Sequence, residues 1–198
     1  HYVLWGTGFA DLDNDGWKDV VQVSGHVYPE VERIDKNDRY KGPRLIYRNL
    51  GNGKFEDVSS FAGPDAQRPL SSRGAAFGDF DNDGDIDVLI MNMHEPVSLL
   101  RNDLKSSNHW IQLKLQGTKS NRSAIGAVVT VAGQTAAVLS QSSFLSQSDF
   151  RLHFGLGATQ RVEKITVRWP SGAVEDFPGA QAGAAWLLVE GSGKVERK

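Results

Sequence analysis

Two acidic stretches constrain the fold of this chain more than any other feature. Residues 11–19 read D-L-D-N-D-G-W-K-D and residues 79–87 read D-F-D-N-D-G-D-I-D, with carboxylates at positions one, three, five and nine. A hard cation such as calcium takes about six to eight oxygens, and alternate side chains converge on it where the chain turns sharply. Gly16 and Gly84, at position six, permit that turn because glycine reaches positive φ without a Cβ clash. The pattern predicts two calcium-binding loops, called below the first loop (11–19) and the second loop (79–87).

The residues after the loops indicate which kind of calcium loop they form. An EF-hand needs an acid at position twelve and a helix on either side, whereas this position is Gln22 in the first copy and Ile90 in the second. The runs V-V-Q-V and V-L-I-M that follow the loops are typical of buried strands. We therefore expect each loop to join two strands. Ordinary acidic turns are the alternative, but so many neighbouring carboxylates would repel one another without a cation.

Composition favours an all-β protein. The 198 residues include 21 glycines and no cysteine, which excludes disulfides and thiol chemistry, and they show hardly any helical periodicity. No apolar run is long enough to span a bilayer, and no signal peptide is visible. Basic residues are spread without a dense run, so we expect a mixed solvated surface and no nucleic-acid partner. Because the chain begins at His1 on a strand-like run, we expect a processed or excised piece.

Aligning Asp11 with Asp79 reveals an internal repeat with an offset of 68 residues. The offset also pairs Phe9 with Phe77 and the strand-like runs after the loops. An R-N pair at 48–49 resembles a second at 101–102, and the 15 extra residues of the first copy fit the polar stretch 26–42. Such a repeat is one supersecondary unit that must stack on its neighbours.

These motifs, together with G-N-G-K-F-E-D-V at 51–58, resemble the FG-GAP/VCBS-type repeats of integrin-α-like β-propellers. In that family a repeat makes most of one blade, and calcium lies in a strand-to-strand loop. The resemblance implies a partial β-propeller of about two blades over residues 1–104, with repeat one about 1–70 and repeat two about 71–104. The family's propeller has several blades, whereas this chain holds about two repeats, which is too few for a closed propeller.

The resemblance also implies two Ca2+ sites whose ligands come from the two loops. Those ligands are the side chains of Asp11, Asp13, Asp15, Asp19, Asp79, Asp81, Asp83 and Asp87 and the carbonyls of Trp17 and Asp85. We expect the second site to be slightly stronger, because Asp85 adds a carboxylate where the first loop has Trp17. We also expect depressed pKa values at the ligand aspartates when calcium is bound, because they must be ionised to hold the cation.

The polar stretch 104–108 marks a predicted domain boundary, after which residues 105–198 form a second domain. Apolar and polar residues alternate at 111–116, 151–156 and 165–169, as in strands with one buried face. Their spacing predicts a small β-sandwich or barrel-like domain. The segments N-H-W at 108–110, S-N-R at 120–122, L-H-F-G-L-G at 152–157 and R-W-P-S-G at 168–172 resemble the ASPIC/UnbV domain that follows FG-GAP repeats in bacterial secreted proteins.

The sequence shows no catalytic motif that predicts an enzyme. The serine-rich stretch 140–148 could hold a nucleophile, but no partnering base stands at a recognisable spacing, so we interpret it as loop or edge strand. The histidines are scattered singly and predict no zinc or catalytic site. Trp169 could offer a platform for a sugar, but it falls on the apolar side of its strand and is expected in the core.

The leading hypothesis is a non-enzymatic, calcium-stabilised, extracellular recognition or adhesion module that binds a protein or glycan. Its expected location is secreted, extracellular or periplasmic. One alternative is a carbohydrate-binding or accessory module of a larger secreted enzyme, and a third is an accessory role in natural-product biosynthesis. We expect the strand faces that carry Val20, Val21, Val88, Leu89 and Ile90 to need a cover. Docking of the second domain is the first candidate; self-association and missing propeller blades are the others.

Overall fold

The computed structural model describes residues 2–198, and within that range the chain is all-β with a few short helical turns. The strands of the N-terminal part are β1 (Leu4–Ala10), β2 (Asp19–Gly25), β3 (Lys41–Asn49), β4 (Phe55–Asp57), β5 (Ser72–Gly78), β6 (Asp87–Asn92) and β7 (Ser98–Leu100). Those of the C-terminal part are β8 (His109–Gln116), β9 (Val128–Val131), β10 (Gln134–Ala137), β11 (Leu152–Gly157), β12 (Arg161–Arg168), β13 (Val174–Gln181), β14 (Ala184–Val189) and β15 (Val195–Arg197). Helix α1 is Val31–Ile34, a 3-10 turn is Ser59–Phe61, and α2 is Pro64–Gln67.

The two sequence repeats fold into two similar antiparallel sheets. The first has the order β1-β2-β3-β4 and the second β5-β6-β7. Each acidic loop joins the first two strands of its sheet, as predicted. The registers agree as well, since Phe9 pairs with Val20 in one sheet and Phe77 with Val88 in the other. The repeats are therefore equivalent blade-like units, and they fit a partial propeller-like fold.

The two sheets pack against each other through one face each. The buried cluster between them consists of Val21, Val23, Ala75, Val88 and Ile90. The expectation that Val21, Val88 and Ile90 need an outside cover is therefore wrong, because the repeats cover these residues mutually.

The opposite face of β6 is the face that lacks a cover. Successive side chains of a strand point to opposite faces, so Leu89 and Met91 point away from the buried cluster, and they are 42% and 51% exposed. Leu99 on β7 is exposed as well. These three residues are called the outer face of the second repeat.

The C-terminal part is a β-sandwich. One sheet has the order β10-β9-β12-β13 and the other β11-β8-β14-β15, with β14 and β8 parallel. The inward side chains of both sheets share one core, in which Phe154, Trp169 and Phe177 are among the largest buried side chains. Trp169 thus lies in the core, as expected.

A single carboxylate organises the turn at 117–122. Glu190 is buried and accepts the backbone N–H groups of Thr118, Lys119 and Ser120, at 2.9, 2.9 and 2.7 Å. Burial raises the pKa of Glu190, but the donors from Ser120, Ser171 and Thr118 outweigh it and lower the pKa to about 2. The S-N-R segment is therefore tied to the end of β14.

The segment between β7 and β8 carries no strand and connects the repeats to the sandwich. The boundary at 104 and 105 predicted from the sequence falls inside it. Among the residues that the structure describes, no helix has the length and apolar character needed to cross a membrane.

Candidate functional site

Both acidic loops follow the same backbone path. The asparagine at position four and the glycine at position six have positive φ in each copy, with 59° and 96° at Asn14 and Gly16 and 62° and 98° at Asn82 and Gly84. Glycine, and less often asparagine, visits this left-handed region without a large steric cost. The D-x-D-N-D-G pattern therefore supplies the two residue types that the turn requires.

The aspartate at position one closes each loop on itself. In the first loop, Asp11 accepts the backbone N–H of Asp15 at 3.0 Å and that of Gly16 at 2.8 Å. In the second loop, Asp79 accepts the N–H of Gly84 at 3.1 Å. These bonds orient the position-one carboxylates toward the inside of the turn.

The aspartate at position nine ties each loop to a distant part of its own repeat. The carboxylate of Asp19 accepts the backbone N–H groups of Leu12 and Asn49, both at 2.8 Å. Asp87 makes the equivalent two bonds, also at 2.8 Å. The donors Asn49 and Asn102 are the asparagines of the two R-N pairs. The recurrence of that pair in the sequence could have indicated these hydrogen bonds, which we had not predicted.

Each loop brings three carboxylates together. One oxygen from each member of a group lies within 4.8 Å of the others; the groups are Asp11, Asp13 and Asp15 in the first loop and Asp79, Asp81 and Asp87 in the second. Two of the eight predicted side-chain ligands lie outside these groups, namely Asp19 and Asp83. The ligand roles of the Trp17 and Asp85 carbonyls stay predictions.

The charges of these groups fit a hard divalent cation. The Oδ1 atom of Asp79 is buried and has no hydrogen-bond partner, which is costly for a carboxylate unless a cation or donor faces it. Burial, more than the neighbouring acids, raises the pKa of Asp11 to about 7. Burial and the charge of Asp83 raise the pKa of Asp85 to about 6. Protein groups alone thus oppose ionisation here, so the depressed pKa values expected of ligands would have to come from the cation itself.

The first loop already has one positive partner from its own repeat. The guanidinium of Arg48 lies 2.9 Å from Asp13 Oδ2. The equivalent Arg101 pairs instead with Asp103, at 2.9 Å. The two loops therefore share a backbone but differ in their electrostatic surroundings.

The outward face of β8 and β11 contacts both loops. From the first loop, Asn14 bonds His153 at 2.6 Å and also donates to Asp85 of the second loop at 2.8 Å. Burial lowers the pKa of His153 to about 4, so its imidazole is neutral at physiological pH. Arg151 donates to the side chain of Asn82, at 2.6 Å.

Trp110 and Gln112 complete this face. A Cβ at position 84 would lie 1.9 Å from the Trp110 ring, so the glycine is needed for packing as well as for the turn. Gln112 donates to Asp79 Oδ2 at 2.6 Å. We had not predicted these contacts, because in the sequence the residues are ordinary polar positions of alternating strands.

The serine-rich stretch lies over the first strands of the two repeats. Ser143 accepts the backbone N–H of Thr7 at 3.0 Å, and Ser148 accepts that of Phe77 at 3.1 Å. Phe144 packs against Trp5, with ring centroids 4.8 Å apart. This stretch is therefore a loop that caps strand edges, as interpreted from the sequence.

Comparison with known proteins places two modules in the chain. The family model for the FG-GAP-like repeat matches residues 33–90, which include the second loop. The family model for ASPIC and UnbV matches residues 117–195.

The chain is also similar to cartilage acidic protein 1 from three animals. It is 28% identical to the mouse (Mus musculus) protein over 178 residues, covering 82% of this chain and 25% of that protein. For the human (Homo sapiens) protein it is 35% identical over 72 residues, covering 36% of this chain and 10% of that protein. For the Xenopus tropicalis protein it is 36% identical over 59 residues, covering 30% of this chain and 9% of that protein.

The chain thus spans about a quarter or less of the length of these relatives. Together with the paired sheets, the acidic loops and the sandwich, these matches identify the chain as FG-GAP-like repeats followed by an ASPIC/UnbV domain.

Proposed function

We propose that this chain is a calcium-stabilised, non-enzymatic module of an extracellular recognition or adhesion protein. One observation carries the calcium part: each loop brings three carboxylates within 4.8 Å of one another. Calcium prefers oxygen ligands of this kind, and a site formed by folding converts its binding free energy into folding free energy. The similarity to a protein named for cartilage supports the extracellular part.

In this proposal the chain's own residues bind and orient the ion and perform no chemistry on it. Asp13 and Asp15 would complete the first site with Asp11, and Asp81 and Asp87 would complete the second with Asp79. The ion would neutralise carboxylates that otherwise repel one another across two strand junctions. The calcium sites would therefore hold the first two strands of each repeat in register.

Thermal unfolding in calcium and in a chelator tests this proposal. We expect the melting temperature to fall by roughly 6–12 °C on chelation, because the loss of about 3 kcal/mol of binding shifts a chain of about 200 residues by about 2–4 °C per kcal/mol. Magnesium is the matched control, because its smaller octahedral shell fits these loops poorly. Equal melting curves in all three buffers would contradict calcium stabilisation.

We also propose that the outer face of the second repeat packs against a further propeller blade. Leu89, Met91 and Leu99 share this face and are exposed, and an apolar sheet face of a repeat protein is normally covered by its neighbour. In the isolated chain the same face is then free to pair with a second copy. Light scattering should show self-association that Leu89→Lys with Met91→Lys removes, while Val174→Lys on the sandwich surface does not.

The recognition part is testable without a known partner. The immobilised chain should retain cells or matrix proteins in calcium and release them in a chelator. Signals confined to a glycan array would instead support a carbohydrate-binding module of a secreted enzyme.

A further inference from the structure

The polar face of the sandwich sheet places one buried amide against the second loop. Gln112 on β8 pairs across the sheet with His153 on β11. Although Gln112 lies on the outward face, it is buried, with 2% of its surface exposed. Its Nε2 donates to Asp79 Oδ2 at 2.6 Å. The burial of this amide therefore depends on the repeat region that is docked over it.

The bond from Gln112 decides which oxygen of Asp79 is available to a cation. Oδ2 is held by Gln112 and by the N–H of Gly84. Oδ1 is buried and has no hydrogen-bond partner. Because Oδ2 is engaged, Oδ1 is the oxygen of Asp79 that is left free of protein donors for a cation held with Asp81 and Asp87.

The first loop has a different relation to the same sheet. Both oxygens of Asp11 are held by N–H groups of its own loop. The sandwich offers it Gly155, where a Cβ would lie 2.0 Å from Asp11 Oδ2. The sandwich thus leaves space for the position-one carboxylate of the first loop, whereas it supplies a donor to that of the second.

A second donor from the sandwich fixes the backbone of the second loop. Arg151 donates to the Asp79 carbonyl at 2.6 Å and to the Asn82 side chain, also at 2.6 Å. Position one and position four of this loop are therefore both held from the sandwich.

We propose that Gln112 is a positioning residue for calcium at the second loop, so that calcium binding there and docking of the sandwich favour each other. This inference rests on the proposed calcium function. Without docking, Asp79 loses the donor that fixes its carboxylate. Without the correct orientation of Asp79, the buried Gln112 amide loses its acceptor, which is costly. Such coupling is reciprocal by thermodynamic necessity.

Gln112→Met in the full chain tests this coupling, because methionine keeps the volume and removes the donor. Titration calorimetry with calcium chloride should show one of two binding steps weakened about tenfold, which lies within the usual range of such couplings, and the other step unchanged. The control is Gln116→Met on the same strand, where the backbone carbonyl accepts the Glu190 N–H. This control should leave both steps unchanged.

Cleavage of the exposed segment 104–108 gives a second readout. Calcium should slow trypsin cleavage after Lys105 in the unmodified chain and slow it less in Gln112→Met, because docking is then less tightly linked to the ion. A circular dichroism spectrum at saturating calcium identifies a variant that has simply failed to fold. If Gln112→Met fails to fold, Gln112→Asn is used in its place. It keeps an amide but shortens its reach, so it should also weaken calcium binding at the second loop.

Three results would overturn the inference, and they can be told apart. If the unmodified chain takes up no calcium, the proposed calcium function fails and this inference fails with it. If the unmodified chain takes up calcium but Gln112→Met has the same two steps, this inference alone fails. Equal weakening of both steps would assign Gln112 a general structural role and would also overturn it.

Discussion

The two acidic loops share a sequence pattern and a backbone but differ in what surrounds them. The sandwich contacts both loops, but it reaches the first through Asn14, and the carboxylate partner of that loop is Arg48 of its own repeat, which pairs with Asp13. The second loop is supported by the sandwich, because Gln112 and Arg151 reach Asp79. A repeated motif therefore fixes the backbone geometry of each loop, while the surrounding residues determine which charged and polar groups contact its carboxylates. The predictions below use one loop as the control for the other.

The largest expected difference is in the pH dependence of stability in a chelator. Burial raises the folded-state pKa of Asp11 from 3.8 to about 7, so the stability contributed by its protonated form is complete below pH 3.8 and lost as the pH rises through 7. The pKa of Asp85 is raised to about 6, so its contribution to stability is lost at a lower pH than that of Asp11. His153 acts in the opposite direction up to pH 6.5, because its folded-state pKa is lowered from 6.5 to about 4. Two raised aspartates outweigh this one histidine, so chemical denaturation should give a free energy of unfolding that falls from pH 5 to pH 7.

Asp11→Asn should flatten this profile more than Asp85→Asn does. Glu190 has the opposite sign, because its depressed pKa of about 2 makes its contribution complete above 4.5 and lost on acidification toward 2. It leaves the pH 5 to 7 window unaffected. Calcium should reverse the slope, because the cation needs ionised ligands. A free energy that rises from pH 5 to pH 7 in the chelator would contradict the burial of Asp11.

The next difference concerns the glycine at position six. Gly16→Ala and Gly84→Ala both place a Cβ at positive φ, which costs about 1–2 kcal/mol. At position 16 the nearest atoms would lie 3.6 Å away, whereas at 84 the Trp110 ring would lie at 1.9 Å. Overpacking adds about 1–3 kcal/mol, so Gly84→Ala should be the more destabilising in urea denaturation. Equal losses would mean that Trp110 moves freely.

Removal of the aspartate at position five should affect the two loops unequally. Asp15 belongs to the carboxylate group of the first loop, whereas Asp83 lies outside that of the second. Calcium affinity depends on the number of charged ligands, so Asp15→Ala should weaken one binding step about tenfold and Asp83→Ala less. Titration calorimetry measures both. A larger loss of affinity in Asp83→Ala than in Asp15→Ala would show that Asp83 is a calcium ligand of the second loop, as predicted from the sequence.

The smallest difference concerns the arginines of the R-N pairs. Arg48→Met removes a positive charge from Asp13 and should tighten calcium binding at the first loop by a few-fold, because exposed ion pairs are worth about 0–1 kcal/mol. Arg101→Met removes a partner of Asp103 and should leave both steps unchanged. Calcium titrations at low salt are the suitable measurement. Weaker binding in Arg48→Met would show that the arginine orients Asp13 and does not compete for it.

Much of the fold could be predicted from the sequence because its signals are local. The two acidic loops, the strands after them and the alternation of β8, β11 and β12 all follow from the types and spacing of neighbouring residues. The mutual burial of Val21, Val88 and Ile90 could not be predicted, because it depends on how two sheets stack. The same holds for Gln112 and His153, whose partners lie far away in the chain.

The position-nine aspartates lie between these cases. Asp19 and Asp87 were predicted to close the metal sites. In the structure both oxygens of each accept backbone N–H groups, and Asp87 also belongs to its loop's carboxylate group, while the ligand role of both residues stays a prediction. The spacing that recurs in the two repeats therefore identified these two aspartates, but it did not predict the N–H groups that they bind.

The most direct test of the account is the number of calcium ions bound per chain at neutral pH. Titration calorimetry on the unmodified chain should show two binding steps. Asp11→Ala should remove or strongly weaken one of them, and Asp79→Ala the other. Binding of a single ion, or of two ions that Asp11→Ala and Asp79→Ala leave in place, would contradict the assignment of one calcium site to each loop.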